Sequence, residues 1–465
     1  MGDKTGACNR ARGKLEDGSF LADLGRRVAI PTESQILERK PELYRYLTDE
    51  IGPSFDRMGY SWRIFDNPMP DRGPVLLAER MVDASKPTAL IYGHGDVVRG
   101  LDETWSEGLS AWKLTEDGDR VYGRGTVDNK GQHSIAMSAA EAVAEENGGE
   151  PRANMKFIIE TGEEQGSPGL QQILHENREA FAADVFIGLD GPRMSFGCMD
   201  LTLGCRGGFR FDLIVDLNRK GGLHSGHWGG VLPDAGIILA QALASITTPK
   251  GKILIDEWVP DHVPEAVMEA AKNLRVDHVE GMPDPDPDWG ETTLTRAQKV
   301  YAWTSFIILA FQTGNPDNPV NSVPSTAKAA CQIRHTVDVP VENLLAGLRR
   351  HLDENGFGMV RIEPTRDREQ FAPSRTDPTD PWVQWIAASV ERTTGTPPNI
   401  KPCSAGSNPS EMFKQELGTP VIWIPHSYSG CNQHGPNEHG LKSLFGEGLE
   451  VMAGLFWDLG DHPGS

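Results

Sequence analysis

Short, continuously apolar runs alternate with helix-period stretches through the first two hundred residues. TALIYG (88–93), NMKFIIE (154–160) and DVFIGLD (184–190) predict buried strands, because each is too short for a helix and mostly apolar on both sides. Between them, KGQHSIAMSAAEAVAEENGG (130–149) and SPGLQQILHENREAF (167–181) predict helices, the first closed by glycines. Such alternation predicts a mostly parallel sheet with helices on its faces. Past residue 206 the period changes. GFRFDLIVDL (208–217) puts Phe209, Phe211, Leu213, Val215 and Leu217 on one face, the pattern of a half-exposed strand. A helix at 234–246, strands at 303–311 and 325–335, a helix at 342–355 and a strand at 358–364 follow. That order, strand–helix–strand–strand–helix–strand, makes a compact two-layer unit. PVIWIP (420–425) then reads as one more buried strand. The expected organisation is an α/β domain with a mostly parallel sheet, formed by 1–205 and 369–465, carrying an inserted α+β ferredoxin-like domain at 206–368. The stretch 248–297, rich in Pro, Asp and Glu, is an insertion within that second domain.

Composition narrows the class without naming a chemistry. A chain of 465 residues is too long for one ordinary core, which agrees with two domains. No run of eighteen apolar residues occurs, so no membrane span is expected. A net charge of −21 argues against nucleic acid or an anionic membrane as the main partner. It leaves room for a small anionic substrate held by a few arginines. The six cysteines are scattered, with no C-x-x-C pair, and the N-terminus lacks the apolar core of a signal peptide. Both features fit a cytoplasmic protein with reduced thiols.

The candidate chemistry lies in where His, Asp and Glu fall. His94 and Asp96 follow TALIYG, Glu163 and Glu164 follow NMKFIIE, and Asp190 closes DVFIGLD. Asp128 precedes a helix in GRGTVDNKGQ, and His434 lies downstream of PVIWIP in NQHGPNEHG. In an open parallel sheet ligands bind beyond the carboxyl ends of the strands, so these segments deliver their side chains to one rim. Two histidines and several carboxylates there suit zinc or a similar divalent ion. Singly, each has a plainer reading: an H-x-D pair as a salt bridge, Glu-Glu as solvated surface, Asp128 as a helix cap, Asp190 as a turn starter. Their joint occurrence at strand ends favours the metal.

HGDVV, GRGTVDNKG, ETGEEQGSPG, GLDG and HGPNE, in that order, resemble the successive motifs of a family of co-catalytic metallohydrolases. It includes aminoacylase-1, carnosinase and related dipeptidases, glutamate carboxypeptidase and succinyl-diaminopimelate desuccinylase. The resemblance covers nearly the whole chain. LHSG-x-x-GG and the long insertion look most like the carnosinase and dipeptidase branch. It implies a phosphorylase/hydrolase-like metallopeptidase domain holding two divalent ions, most often zinc, with manganese or cobalt compatible with the same ligands. By motif, His94 and Asp190 bind one ion, Glu164 and His434 the other, and Asp128 bridges them. Glu163 is then the general base, and Asp96 fixes the tautomer of His94 through its far ring nitrogen. The family pattern, a ligand four residues before a glutamate, selects His434 ahead of Glu438 and makes His439 a surface residue. His133, His175, His262, His351 and His426 match no motif and read as structural.

In such proteins the inserted domain acts as a lid and dimerisation domain. The resemblance makes His224, in GGLHSGHWGG, a hydrogen-bond donor to the developing oxyanion, often across a homodimer; His227 is then a loop residue. Arg334 matches a substrate-carboxylate clamp, with a bare strand arginine as the alternative. Asn321, Gly406 and Ser407 match segments lining the substrate site, and Arg206 could serve only to join the domains. Gly222, TWSEGLSAW and SAGSNPSE depart from the family's usual forms, which points to an altered substrate pocket. The expected activity is hydrolysis of the C–N bond of a dipeptide or N-acyl amino acid, a small amide bearing a carboxylate. Alternatives are an amidase or deacylase acting on an N-carbamoyl or conjugated amino acid, and a non-catalytic metal-dependent binding protein on the same fold.

Overall fold

The computed structural model describes residues 2–219, 223–277, 283–365 and 372–462. Its larger sheet has eight strands, in the spatial order Ser61–Phe65, Val75–Arg80, Asn154–Glu160, Thr88–His94, Val185–Gly188, Val421–Trp423, Asp200–Thr202 and Asn399–Lys401. The four central strands, from Asn154–Glu160 to Val421–Trp423, run parallel. Toward the edges antiparallel pairs appear, so the sheet is mixed with a parallel centre. The difference follows from the connections. Central strands are joined by helical crossovers, whereas the first two strands join through a short loop.

Helix Lys130–Glu146 is buried almost all round, between the sheet and the helices Lys4–Glu16 and Lys442–Leu459. Its small residues, among them Gly131, Ser134, Ala136 and Ala139, let neighbouring backbones approach closely. A Cβ on Gly131 would sit 1.9 Å from the carbonyl oxygen of Thr126. On the opposite face Tyr92, Phe186, Phe413 and Trp423 form an aromatic cluster.

The helix expected over 167–181 is instead two, Leu170–Glu176 and Arg178–Phe181. Asn177 breaks it, its Nδ2 donating to the carbonyl of Ile173 at 2.9 Å, a local bond that competes with the helical ladder.

A second sheet, wholly antiparallel, has the order Ser305–Thr313, Thr326–His335, Gly207–Asp216 and Arg361–Pro364. Helices Ala235–Ile246 and Val341–Glu354 cover one face of it, burying Phe211, Leu213, Val215, Leu239 and Leu348. This is the ferredoxin-like order read from the sequence. The boundary expected at 368/369 lies outside the described residues, as does Gly222. The edge strand Ser305–Thr313 leaves Ile307, Ile308, Leu309 and Phe311 exposed. The sequence from 248 to 301 carries helices Glu265–Lys272 and Arg296–Tyr301 around a small apolar cluster. It docks on the Asn399–Lys401 edge of the larger sheet, where Arg275 N donates to Asn399 Oδ1 at 2.9 Å.

Candidate metal centre

Because the central strands are parallel, their carboxyl ends open onto one rim. His94 is the last residue of Thr88–His94, Glu163 and Glu164 form a 3₁₀ turn just past Asn154–Glu160, and Asp190 follows Val185–Gly188. The turn is held from beneath. The Asp96 carboxylate accepts from the backbone N–H of Glu163 and of Glu164, each at 3.2 Å.

Asp128 is the centre of the constellation. One of its oxygens, Oδ1, lies 3.0 Å from His94 Nε2; the other, Oδ2, lies 2.9 Å from His434 Nε2. Asp190 Oδ2 stands 4.0 Å from His94 Nε2, and Glu164 Oε2 stands 3.3 Å from His434 Nε2. Two ligand groups result, His94–Asp128–Asp190 and Asp128–Glu164–His434, with donor atoms in each within 4.8 Å of one another and Asp128 common to both. Gln433 also donates to Asp128 Oδ2, at 2.7 Å.

The donor set fits cations. His94 Nδ1 lies 3.0 Å from the carbonyl oxygen of Asp96, which can only accept, so that nitrogen carries the proton. The Nε2 lone pair then faces the Asp128 carboxylate, buried and without a hydrogen bond. Two acceptors facing each other at 3.0 Å call for a positive charge between them. The expected second partner of Nδ1, the Asp96 carboxylate, is farther away at 3.4 Å, so the carbonyl orients the ring and the carboxylate mainly fixes the 163–165 turn. Charges agree. Burial pushes Glu164 up to about 7 and Asp190 up to about 6, each reinforced by Asp128. Burial raises Glu163 as well, with Asp190, Glu164 and Asp128 adding to it against His94. Burial opposes ionisation of Asp128 too, but positive charge facing its two oxygens reverses the sign and holds it low; with no ion between them, protonated His434 and His94 rings carry that charge, and both are raised. Too many carboxylates share this rim to ionise together without cations.

Glu438, which the motif treated only as a spacer, builds the loop that presents Asp128. It is fully buried; Oε2 takes Arg124 Nη1 at 2.6 Å, and Oε1 takes the N–H groups of Gly125, Val127 and Asp128 at 3.0, 3.1 and 3.3 Å. The only sequence signal for it was its position in HGPNE. His439, expected at the surface, is instead buried, with its Nε2 2.5 Å from the Tyr428 hydroxyl. Strand His439–Leu441 pairs with Arg120–Tyr122 and carries it inward.

Two cavities meet at Glu163, Ser407 and His434. One, of about 460 Å³, opens on the Asp190 side. The other, of about 680 Å³, holds Arg334, Arg72 and Glu164. Arg334 Nη1 donates to Ser407 Oγ at 2.8 Å, and Ser407 Oγ in turn donates to the carbonyl of Arg206 at 2.9 Å. Gly406 lines the first cavity. Arg206 joins strand to loop, donating to Ser305 Oγ at 3.3 Å and to the carbonyl of Ala405 at 3.2 Å. His224 and Asn321 line neither cavity. They sit together on an exposed part of the second-sheet unit, where Ser225 N donates to the Asn321 carbonyl and His224 Nδ1 accepts from Gly226 N.

The model of peptidase family M20/M25/M40 matches residues 90–458 of the chain. A Beta-Ala-His dipeptidase of Mus musculus is 33% identical over 96% of this chain and 94% of its own length. A cysteinylglycine-S-conjugate dipeptidase of Corynebacterium striatum is 29% identical over 71% of each chain. Among solved structures, the M20 family metallo-carboxypeptidase Sso-CP2 from Sulfolobus solfataricus shares the fold, with a TM-score of 0.75 and 22% identity over 95% of this chain and 99% of that one.

Proposed function

We propose that this chain, which belongs to peptidase family M20/M25/M40 and is a metal-dependent dipeptide hydrolase, works through two divalent ions sharing Asp128, with Glu163 as the general base. The observation that carries the reading is the split of the Asp128 carboxylate, one oxygen toward each histidine. His94 and Asp190 would hold one ion and Glu164 and His434 the other; zinc suits this set, and manganese or cobalt are compatible. When bound, such a pair supplies Lewis-acid polarisation of the scissile carbonyl and a water of lowered pKa.

The chain's own residues do the rest. Glu163 is half-buried beside the ligands yet belongs to neither ligand group, and it lines both cavities. From there its carboxylate takes the proton of the attacking water and returns it to the leaving amine nitrogen. Arg334, steadied by Ser407, offers a fork for the substrate carboxylate in the larger cavity. His224 and Asn321 lie away from both cavities, which supports a role completed by a second copy of the chain: the imidazole donates to the carbonyl oxygen as charge develops there. The apolar edge strand Ser305–Thr313 supports that homodimer, since an open, hydrophobic sheet edge is a template for pairing. Six free cysteines support a reducing, cytoplasmic setting, and among the described residues no helix is long and apolar enough to cross a membrane.

The test is Glu163→Gln in the metal-loaded protein with a dipeptide panel. A loss of roughly 10²–10⁴ in kcat with metal content retained is expected. Undiminished turnover refutes the assignment.

A further inference from the structure

The cavity of about 460 Å³ is walled in part by residues remote from the metal residues in sequence. Val276, Pro283, Pro285 and Tyr301 line it together with Met194 and the rim residues Asp128 and Asp190. The wall is latched. Asp277 accepts from Ser195 Oγ at 2.9 Å and from Phe196 N at 2.7 Å, and its own N–H donates to the Met194 carbonyl at 3.0 Å. Asn399, on the edge strand, exchanges two bonds with Arg275, each at 2.9 Å. These bonds fix Val276, between Arg275 and Asp277, against the cavity.

Charge on the wall is either engaged or of mixed sign. Asp277 is used by the latch, Lys401 Nζ lies 3.6 Å from Asp200, and Arg193 reaches Glu447 at 2.6 Å. Arg296 and Asp284, of opposite sign, stand at the exposed rim. What remains for a ligand to touch is uncharged: the thioether of Met194, the Tyr301 and Trp423 rings, Val276 and the two prolines, interleaved with hydroxyl and amide side chains such as Thr202 and Asn408. The volume lies within the range of about 300–1,000 Å³ that encloses whole small ligands, more than a glycyl or alanyl residue fills.

We propose that this cavity is the subsite for the acyl-side residue of the substrate, that Val276 and Tyr301 in its lining set its selectivity, and that it takes a large uncharged side chain, aromatic or branched aliphatic. The assignment to the acyl side rests on the hydrolase reading and on Arg334 holding the leaving group's carboxylate in the other cavity. The scissile bond then lies at the junction beside Glu163, and the acyl residue points toward Asp190 and the latched wall.

Binding and turnover separate this subsite from the reaction itself. Dissociation constants of two non-hydrolysable phosphinic dipeptide analogues, one glycyl and one phenylalanyl on the acyl side, are measured by calorimetry on the metal-loaded full chain. The kcat/KM of the matching dipeptides is measured alongside. The phenylalanyl analogue is expected to bind at least ~10-fold tighter. Val276→Trp, which fills the cavity, and Tyr301→Ala, which removes its aromatic wall, should each cut that ratio several-fold. Val276 is 47% exposed, so its replacement tests the idea even if Tyr301→Ala fails to fold. A ratio near one in the parent chain, or a ratio that Val276→Trp leaves unchanged, overturns the subsite. A clear binding preference without hydrolysis of either dipeptide keeps the subsite and overturns the hydrolase reading. Binding of neither analogue overturns both.

Discussion

Replacing Glu438 with glutamine keeps the shape of a fully buried side chain and removes its charge. In the parent structure its carboxylate faces Arg124 Nη1 at 2.6 Å and three backbone N–H groups between 3.0 and 3.3 Å. The Arg124 side chain is itself buried, and its other contacts are the Gly435 carbonyl at 3.0 Å and the Trp105 ring at 5.9 Å. Neither replaces a counter-charge, so an uncompensated buried cation remains, at a cost of about 3–5 kcal/mol. The glutamine NH₂ must also turn toward either the guanidinium or the three N–H donors, all groups that cannot accept. Those N–H groups belong to the loop that presents Asp128, so metal affinity should fall by roughly 10–100-fold. Urea unfolding of the chelator-treated protein reads the first effect, and competition against a chromogenic chelator reads the second. Adding Arg124→Met to Glu438→Gln removes both charges and should recover much of the stability but not the metal affinity. A Glu438→Gln protein that unfolds within about 1 kcal/mol of its parent and keeps its metal affinity would refute the role assigned to this network.

Asp128→Asn removes charge from the carboxylate common to both ligand groups and should lower occupancy of both positions, whereas Glu164→Gln should empty one; metal analysis after gel filtration distinguishes them, and loss of a single equivalent from Asp128→Asn contradicts bridging. His426 is buried with neither ring nitrogen hydrogen-bonded, and burial, aided by Arg193, lowers it to about 3. Its unfolded value is near 6.5, so the unfolded chain binds the extra proton: the contribution is complete above about pH 6.5 and is lost as pH falls toward 3, by up to about 1.4 kcal/mol per unit. His426→Leu should flatten the pH dependence of unfolding below neutrality, and an unchanged slope would show that another group carries it. If the proposed homodimer pairs through the Ser305–Thr313 edge, the parent chain sediments as a dimer and Ile308→Lys, at an exposed position of that edge, as a folded monomer; a monomeric parent refutes the homodimer, and a variant that stays dimeric refutes this edge as its interface.

Periodicity carried much of the architecture because it reports burial locally. The apolar run 88–93 predicted a strand buried on both faces, and the alternation of 208–217 predicted one buried on a single face. Topology tied the strand ends to a common rim, whereas the choice of His94, Asp128, Glu164, Asp190 and His434 among the groups there rested on the motif resemblance. Local misreadings came from competition that periodicity does not register. Asn177 ends a helix with a side-chain bond to Ile173, and His439 is drawn inward by pairing with the strand Arg120–Tyr122.

By itself the sequence determined the parallel centre of the larger sheet, the order of elements in the second and the rim where candidate metal-holding groups gather, since each depends on neighbours within a few residues or on strand direction. Only the tertiary structure decided that each oxygen of Asp128 turns to a different histidine, that Glu438 clasps the loop behind it, and that Val276 lines one cavity. Those features join residues more than a hundred positions apart, as Arg275 meets Asn399 and Arg124 meets Glu438. No local pattern encodes such contacts, because the free energy that selects them, pairing a buried charge and satisfying buried N–H groups, exists only once the chain has closed around them.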